Sequence, residues 1–279
     1  MNKLRQLLDV WKSEERSVPL VMGILNVTPD SFSDGGRFST KDAIQHQIEE
    51  MVCSGVNIID IGGESTRPGA AFVSVDEELD RVMPAIELVR ANSDVAISID
   101  TYKTEVMAEV INRRVDLIND VNALLAEGAL ELVARSDIPV CLMHKQGTPE
   151  TMQAAPVYND VVEEVMGFLK ARVAACEEAG IRREDILLDP GFGFGKTLTH
   201  NTDLFRALER FTKLSYPVLV GVSRKTMIGA LLGDVPVGER MVGSVAAALV
   251  AAHKGAAIVR VHDVKETVQA LKVARQLWD

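Results

Sequence analysis

Eight short apolar, β-branched runs punctuate the chain, and their spacing constrains the fold more than any other feature. They lie near 19–25, 57–63, 95–100, 115–120, 138–144, 185–191, 217–224 and 256–263. Each is apolar nearly throughout, the pattern of a strand buried on both faces of a parallel sheet. Segments with helical spacing and charged faces lie between them, among them 41–55, 76–90, 105–114, 159–180 and 239–255. Gly55, Gly180 and Gly255 each close such a segment, where a helix C-terminus favours positive φ. Strand, loop and helix repeated eight times predict an α/β chain, a (β/α)8 TIM barrel. An open doubly wound sheet is the structural rival, but eight regular units with no surplus favour closure. Residues 1–16 read as a helical extension capping the N-terminal end of the barrel, and 17–279 as one barrel domain.

Charge and cysteine usage narrow the partners. A net charge of −10 argues against nucleic acid or an anionic membrane as the main partner. Cys53, Cys141 and Cys176 are far apart and form no C-x-x-C pair, which reads as reduced, buried thiols in a cytoplasmic protein. The charged, amphipathic N-terminus lacks the apolar stretch of a signal peptide, and no apolar run approaches the roughly 20 residues of a membrane span.

In such a barrel the chemistry sits at the C-terminal ends of the strands and in the loops after them. Polar residues stand at all eight of these places, which is hard to explain by helix caps alone. Asn26, Arg67, Arg260 and His262 can face an anion, arginine by its planar fork and the asparagine oxygen as one ligand of a Mg²⁺ held between pyrophosphate oxygens. Asp100, Asn119, Asp189 and Lys225 point into the mouth and offer acceptors and a donor to a flat heterocycle with an amino-pyrimidinone edge. A carboxylate such as Asp189 can take two parallel N–H bonds from that edge.

Taken singly, these residues carry plainer readings. One aspartate at a strand end is more often a helix cap. GFGFG alone is a turn-rich stretch without a Walker lysine-serine pair. His144 and His262 are as readily structural as functional, His46, His200 and His253 read as solvated, and Asp120 and Asp263 read as supporting or capping groups. Other chemistries fit worse: the chain has no nucleophile elbow, no zinc-type cluster, and no GxGxxG after a strand with an acidic partner.

The stretches Gly23-Ile24-Leu25-Asn26-Val27-Thr28-Pro29-Asp30-Ser31-Phe32-Ser33-Asp34-Gly35-Gly36 and Asp60-Ile61-Gly62-Gly63-Glu64-Ser65-Thr66-Arg67-Pro68-Gly69 resemble the two signature loops of the dihydropteroate synthase family. Asp189 to Lys196, Ser223-Arg224-Lys225 and Arg260-Val261-His262-Asp263 resemble its later motifs, so the likeness spans roughly 20–265. It implies condensation of 6-hydroxymethyl-7,8-dihydropterin pyrophosphate with p-aminobenzoate, in folate biosynthesis, by a Mg²⁺-dependent homodimer that sulfonamides inhibit. It implies a pterin site of Asp100, Asn119, Met143, Asp189, Phe194, Gly221 and Lys225. Asn26, Thr66, Arg67, Arg260 and His262 are implied to serve pyrophosphate, with Asn26 toward the metal. Phe32, Pro68, Phe194, Lys225 and Thr226 are implied to border p-aminobenzoate. Thr226 stands where many members have serine, and Val121-Asn122-Ala123 is less standard.

An aniline amine is neutral at pH 7, so no strong base is needed; the hard step is expulsion of pyrophosphate. The expected path is SN1-like through a pterin cation, with Asp34, Arg67, Lys225 and Arg260 as the catalytic set. A methyltetrahydrofolate-binding methyltransferase barrel would keep the pterin carboxylates without needing a pyrophosphate site, and a non-catalytic pterin-binding scaffold would have lost the anion ligands.

Overall fold

A computed structural model describes residues 2–13, 18–28, 40–65, 72–147, 152 and 156–278. The strands are β1 (Leu20–Asn26), β2 (Ile58–Gly62), β3 (Ala96–Asp100), β4 (Leu117–Asp120), β5 (Val140–Met143), β6 (Ile186–Asp189), β7 (Leu219–Val220) and β8 (Ile258–Val261). They pair in parallel in the order β6-β5-β4-β3-β2-β1-β8-β7. The two ends of that order meet: a parallel bridge joins Leu188 to Val218, and Leu188 N donates to Pro217 O at 2.9 Å. The sheet is therefore a nearly closed barrel, and the open-sheet alternative falls. None of the described helices is long and apolar enough to cross a membrane. All three cysteines are free thiols; Cys141 and Cys176 are buried as expected, whereas Cys53, in the last turn of the helix over Thr40–Ser54, is exposed and corrects the expectation of three buried thiols.

Side-chain alternation sorts each strand into two faces. Val21, Leu25, Ile59, Ile61, Ile97, Ile99, Ile118, Val140, Leu142, Leu188, Val259 and Val261 face outward into one apolar layer. There they meet α2 (Thr40–Ser54), α3 (Val75–Asn92), α4 (Thr104–Asn112), α5 (Ala129–Ser136), α6 (Val161–Glu178) and α11 (Val264–Leu277). The inward residues nearest the strand starts, Leu20, Met22, Ile58, Ala96, Leu117, Cys141, Leu187, Leu219 and Ile258, form a second cluster. The amphipathic α1 (Lys3–Ser13) plugs that end with fully buried Leu4 and Leu8. Arg5 Nε anchors it to buried Asp185, just ahead of β6, at 2.5 Å. Apolar side chains thus fill the lower half of the barrel and leave the upper half to polar ones.

Gly55, Gly180 and Gly255 take φ of +89°, +97° and +85°, as expected of helix ends. The regular one-helix-per-strand reading breaks after β6 and β7. The β6 unit carries α7 (Leu198–Arg206) and α8 (Leu208–Thr212). After β7, α9 (Thr226–Leu231) ends in Gly233 and Asp234, both with positive φ, and Pro236 blocks continuation before α10 (Met241–His253).

Leu8→Ala should cost about 2–5 kcal/mol of unfolding free energy by urea titration, because it opens a cavity in the plugged floor. A loss well below that would mean α1 is not part of the barrel's core.

Candidate active site

The inward parity of each strand, carried to its C-terminal end, places Asn26, Asp60, Ser98, Asp100, Asn119, Met143, Asp189, Gly221, Arg260 and His262 around one mouth. Adjacent strands bring several of them side by side. A Cβ on Gly62 would stand 3.4 Å from Asn26 Oδ1 and 3.8 Å from Asp100 Cβ, and one on Gly221 3.8 Å from the Arg260 side chain.

Arg260 is the hub. Its Nε donates to Asp60 Oδ2 at 2.6 Å and its Nη2 to Asp100 Oδ2 at 2.8 Å. Asn119 Nδ2 donates to the same Asp60 oxygen at 3.3 Å. A carboxylate only accepts, so Asn119 must turn its amide nitrogen to Asp60 and keep its carbonyl oxygen for another donor. Burial pushes the Asp100 carboxyl up to about 7 against the pull of Arg260, with Asp60 adding to the push. Asp60 Oδ1, Asp100 Oδ1 and Ser98 Oγ are buried without a hydrogen-bond partner among the described residues. Such atoms are costly unless a ligand or water satisfies them.

Asp189 and Lys225 face the same mouth from the other side. Asp189 Oδ1 accepts from Gly191 N at 2.7 Å, and burial raises this carboxyl against the opposing pull of Lys225. Half-buried Lys225 donates through Nζ to Phe192 O at 2.5 Å and lies 4.5 Å from the Phe194 ring centroid. Burial lowers its ammonium to about 8, with Asp189 opposing. His144 is buried beside Lys196, and both burial and that lysine push it down to about 3, so it is neutral and serves as a structural acceptor. His262 sets both its backbone N and its Nδ1 3.1 Å from Ser223 Oγ.

Two strand-end aspartates point away from the mouth. Asp120 lies on the outward parity of β4 and accepts from Asn122 N and Leu124 N, both at 2.7 Å; burial raises it to about 6. It is thus the organiser of the unusual Val121-Asn122-Ala123 turn, in which Ala123 and Leu124 take positive φ. Asp263 receives Arg224 through two bonds, at 3.0 and 2.5 Å.

Of the residues expected at the site, Asn26, Asp100, Asn119, Met143, Asp189, Phe194, Gly221, Lys225, Arg260 and His262 gather here, and Thr226 is exposed at the start of α9. Phe32, Asp34, Thr66, Arg67 and Pro68 lie outside the described residues. The sequence reading has Asp60 at the end of the second strand but gives it no role, although its inward parity turns it toward Arg260. It also missed the engagement of Arg260 by two carboxylates. A third omission is the buried Lys103, whose Nζ bridges Glu64 and Glu78 at 2.5 Å each. No spacing links those three residues in the sequence.

Removing Arg260 leaves two buried carboxylates uncompensated, which costs more than removing either acid. Arg260→Met should therefore lose about 3–5 kcal/mol at pH 8. Without the pull of Arg260, Asp100 in this variant titrates higher than in wild type, so the deficit should shrink as pH falls from 8 toward about 7, where Asp100 protonates in both. Urea titrations at several pH values check both; a pH-independent deficit would contradict the charge account.

The model of the pterin binding enzyme family matches residues 22–262. Dihydropteroate synthase of Escherichia coli strain K12 is 54% identical over 262 residues, covering 94% of this chain and 92% of that one. Two solved structures are similar over nearly the whole chain. Xanthomonas albilineans dihydropteroate synthase with 4-aminobenzoic acid superposes with a TM-score of 0.88 at 48% identity, covering 94% of each chain. Yersinia pestis dihydropteroate synthase in a sulfonamide drug complex gives 0.89 at 49% identity, covering 95% of this chain and 96% of that one.

Proposed function

The chain belongs to the dihydropteroate synthase family of pterin-binding enzymes, and we propose that it joins 6-hydroxymethyl-7,8-dihydropterin pyrophosphate to p-aminobenzoate, giving 7,8-dihydropteroate and pyrophosphate. One observation carries this reading: buried acceptors on Asp100, Asn119 and Asp189 converge with the Lys225 donor on a single mouth. Asp100 Oδ1, buried without a donor, and the acceptors beside it ask for a ligand edge rich in N–H groups, and the amino-pyrimidinone edge of a pterin has one. Asp189 takes that edge in parallel, Asp100 Oδ1 and the Asn119 carbonyl take further ring donors, and Lys225 donates to a ring acceptor. Met143 and Phe194 give the ring its apolar contact, and Gly221 leaves room beside Arg260.

The reaction path follows from the charges. The C–O bond of the pterin methylene breaks first and its electron pair leaves with pyrophosphate. The resulting pterin cation lies against Asp100 and Asp189, whose carboxylates offset its charge in a site of low dielectric. The family resemblance gives Asp34 a share in the same role. The neutral amine of p-aminobenzoate then attacks the methylene carbon, and the anilinium proton is lost as the C–N bond forms. Arg67, Arg260, His262, Thr66 and Asn26 hold the departing pyrophosphate. Phe32, Pro68, Phe194, Lys225 and Thr226 form the slot for the benzoate ring, which a sulfonamide would share.

Among the described residues no group of three His, Cys, Asp or Glu side chains could cage a metal. The single Asn26 amide oxygen at the mouth fits a Mg²⁺ ion that arrives on the pyrophosphate oxygens and keeps most of its other ligands. That ion would neutralise charge on the leaving group. For a homodimer, the exposed apolar side chains Leu231, Val237 and Val242, on and between α9 and α10, are the candidates for the interface.

Incubation with both substrates should yield dihydropteroate and pyrophosphate in equal amounts; absence of product would overturn the proposal. Asp189→Asn should weaken binding of the pterin ring by about 1–3 kcal/mol or more, since an amide turns a donor toward a donor. Calorimetry showing unchanged affinity would reject that role. Chelation of Mg²⁺ should weaken the pyrophosphate substrate and leave pyrophosphate-free pterin unaffected; equal losses would place the ion elsewhere.

A further inference from the structure

We infer that Lys196 is a positioning residue for this reaction: its ammonium pins the loop after β6 onto the end of β5 and so sets Phe194 and Lys225 against the substrates. The inference rests on the roles proposed above for those two residues.

The loop lies on its neighbour with almost no space between them. Gly191 takes φ of +69°, and a Cβ there would stand 1.8 Å from His144 O. Gly195 takes φ of +63°, and a Cβ there would stand 2.3 Å from Gln146 O. Only glycine allows this approach. The approach gathers the carbonyl oxygens of His144, Gly191 and Phe194 and the ring nitrogen of His144 around one dry point. Acceptors crowded together away from water need donors.

Lys196 supplies them. It is 3% exposed, and its Nζ stands 2.8 Å from Gly191 O, 3.0 Å from Phe194 O, 3.0 Å from His144 Nδ1 and 3.4 Å from His144 O. An ammonium offers three donors from one point. The charged groups facing it are Asp189 and Lys225, and neutral His144 accepts through Nδ1. Asn201 braces the far side, accepting from Gly193 N at 2.7 Å and donating to Lys196 O and Thr197 O at 3.2 and 2.7 Å.

The loop held in this way is the one on which Lys225 rests. Lys225 Nζ donates to Phe192 O and sits over the Phe194 ring. Asp100 and Asn119 stand on β3 and β4, where they bond Arg260 and Asp60. Loss of the ammonium should therefore loosen both substrates through Phe194 and Lys225, and p-aminobenzoate the more, because the pterin ring keeps Asp100 and Asn119.

Steady-state kinetics and urea titrations of wild type, Lys196→Met, Phe194→Ala and the double variant test this. Lys196→Met should raise KM for p-aminobenzoate and Ki for a sulfonamide roughly tenfold or more. The Kd of a pyrophosphate-free pterin should rise by a smaller factor than KM for p-aminobenzoate, and Lys196→Met should add little to Phe194→Ala, because both act through one ring. Lys196→Gln, which keeps two donors, should fall between wild type and Lys196→Met, and it decides by the same criteria if the methionine variant does not fold. An unchanged KM for p-aminobenzoate, full additivity with Phe194→Ala, or losses that only follow the folded fraction would overturn the inference. A wild-type protein that forms no dihydropteroate would instead overturn the proposed function, and this inference with it.

Discussion

One guanidinium inside a barrel holds the site together. Arg260 is reached by two carboxylates on neighbouring strands, Asp60 at 2.6 Å and Asp100 at 2.8 Å. Two acids and one base in a nearly dry space leave an excess of negative charge, and burial, with Asp60 adding to it, raises Asp100 toward neutrality against the pull of Arg260. The same excess makes the mouth receptive to a ligand rich in N–H donors, and to one that becomes cationic as it reacts. The lower barrel makes this arrangement possible. Its apolar inward residues and the α1 plug exclude water from below, so the polar layer meets solvent only through the mouth.

Much of this was legible in the sequence, for a definite reason. Strands buried on both faces leave continuous apolar runs, so all eight appear in the residue pattern at the places where the structure has them. Once the strand ends are fixed, alternation fixes which polar residues look inward. That is why Asp100, Asn119, Asp189 and Arg260 meet although they lie far apart in the chain. Asp60 obeys the same alternation and reads as a strand end, but no pattern in the sequence shows that Arg260 and Asn119 both reach it. The reading of Asp120 as a capping group agrees with its place on the outward face, where it bonds the turn that follows.

Contacts between loops were not legible. The bridge from Lys103 to Glu64 and Glu78 joins residues from the β2 loop, α3 and the β3 loop, and no periodicity connects them. The close seating of the β6 loop on the end of β5 depends on positive φ at Gly191 and Gly195, which a sequence can permit but cannot require. The break between α9 and α10 was written in Gly233 and Pro236, yet an assumption of one helix per strand hid it. Phe32, Asp34, Thr66, Arg67 and Pro68 fall outside the described residues, so their parts in the site rest on the resemblance of the first two loops to the family.

The central claim is that the Arg260 network presents its remaining acceptors to a pterin edge while staying intact. A crystal structure of the protein with 6-hydroxymethylpterin tests it most directly. The account predicts the N–H edge of the ring on Asp189, a further ring donor on Asp100 Oδ1, and Arg260 still bound to Asp60. A ring bound elsewhere, or an Arg260 that has left Asp60 to meet the ligand, would contradict it.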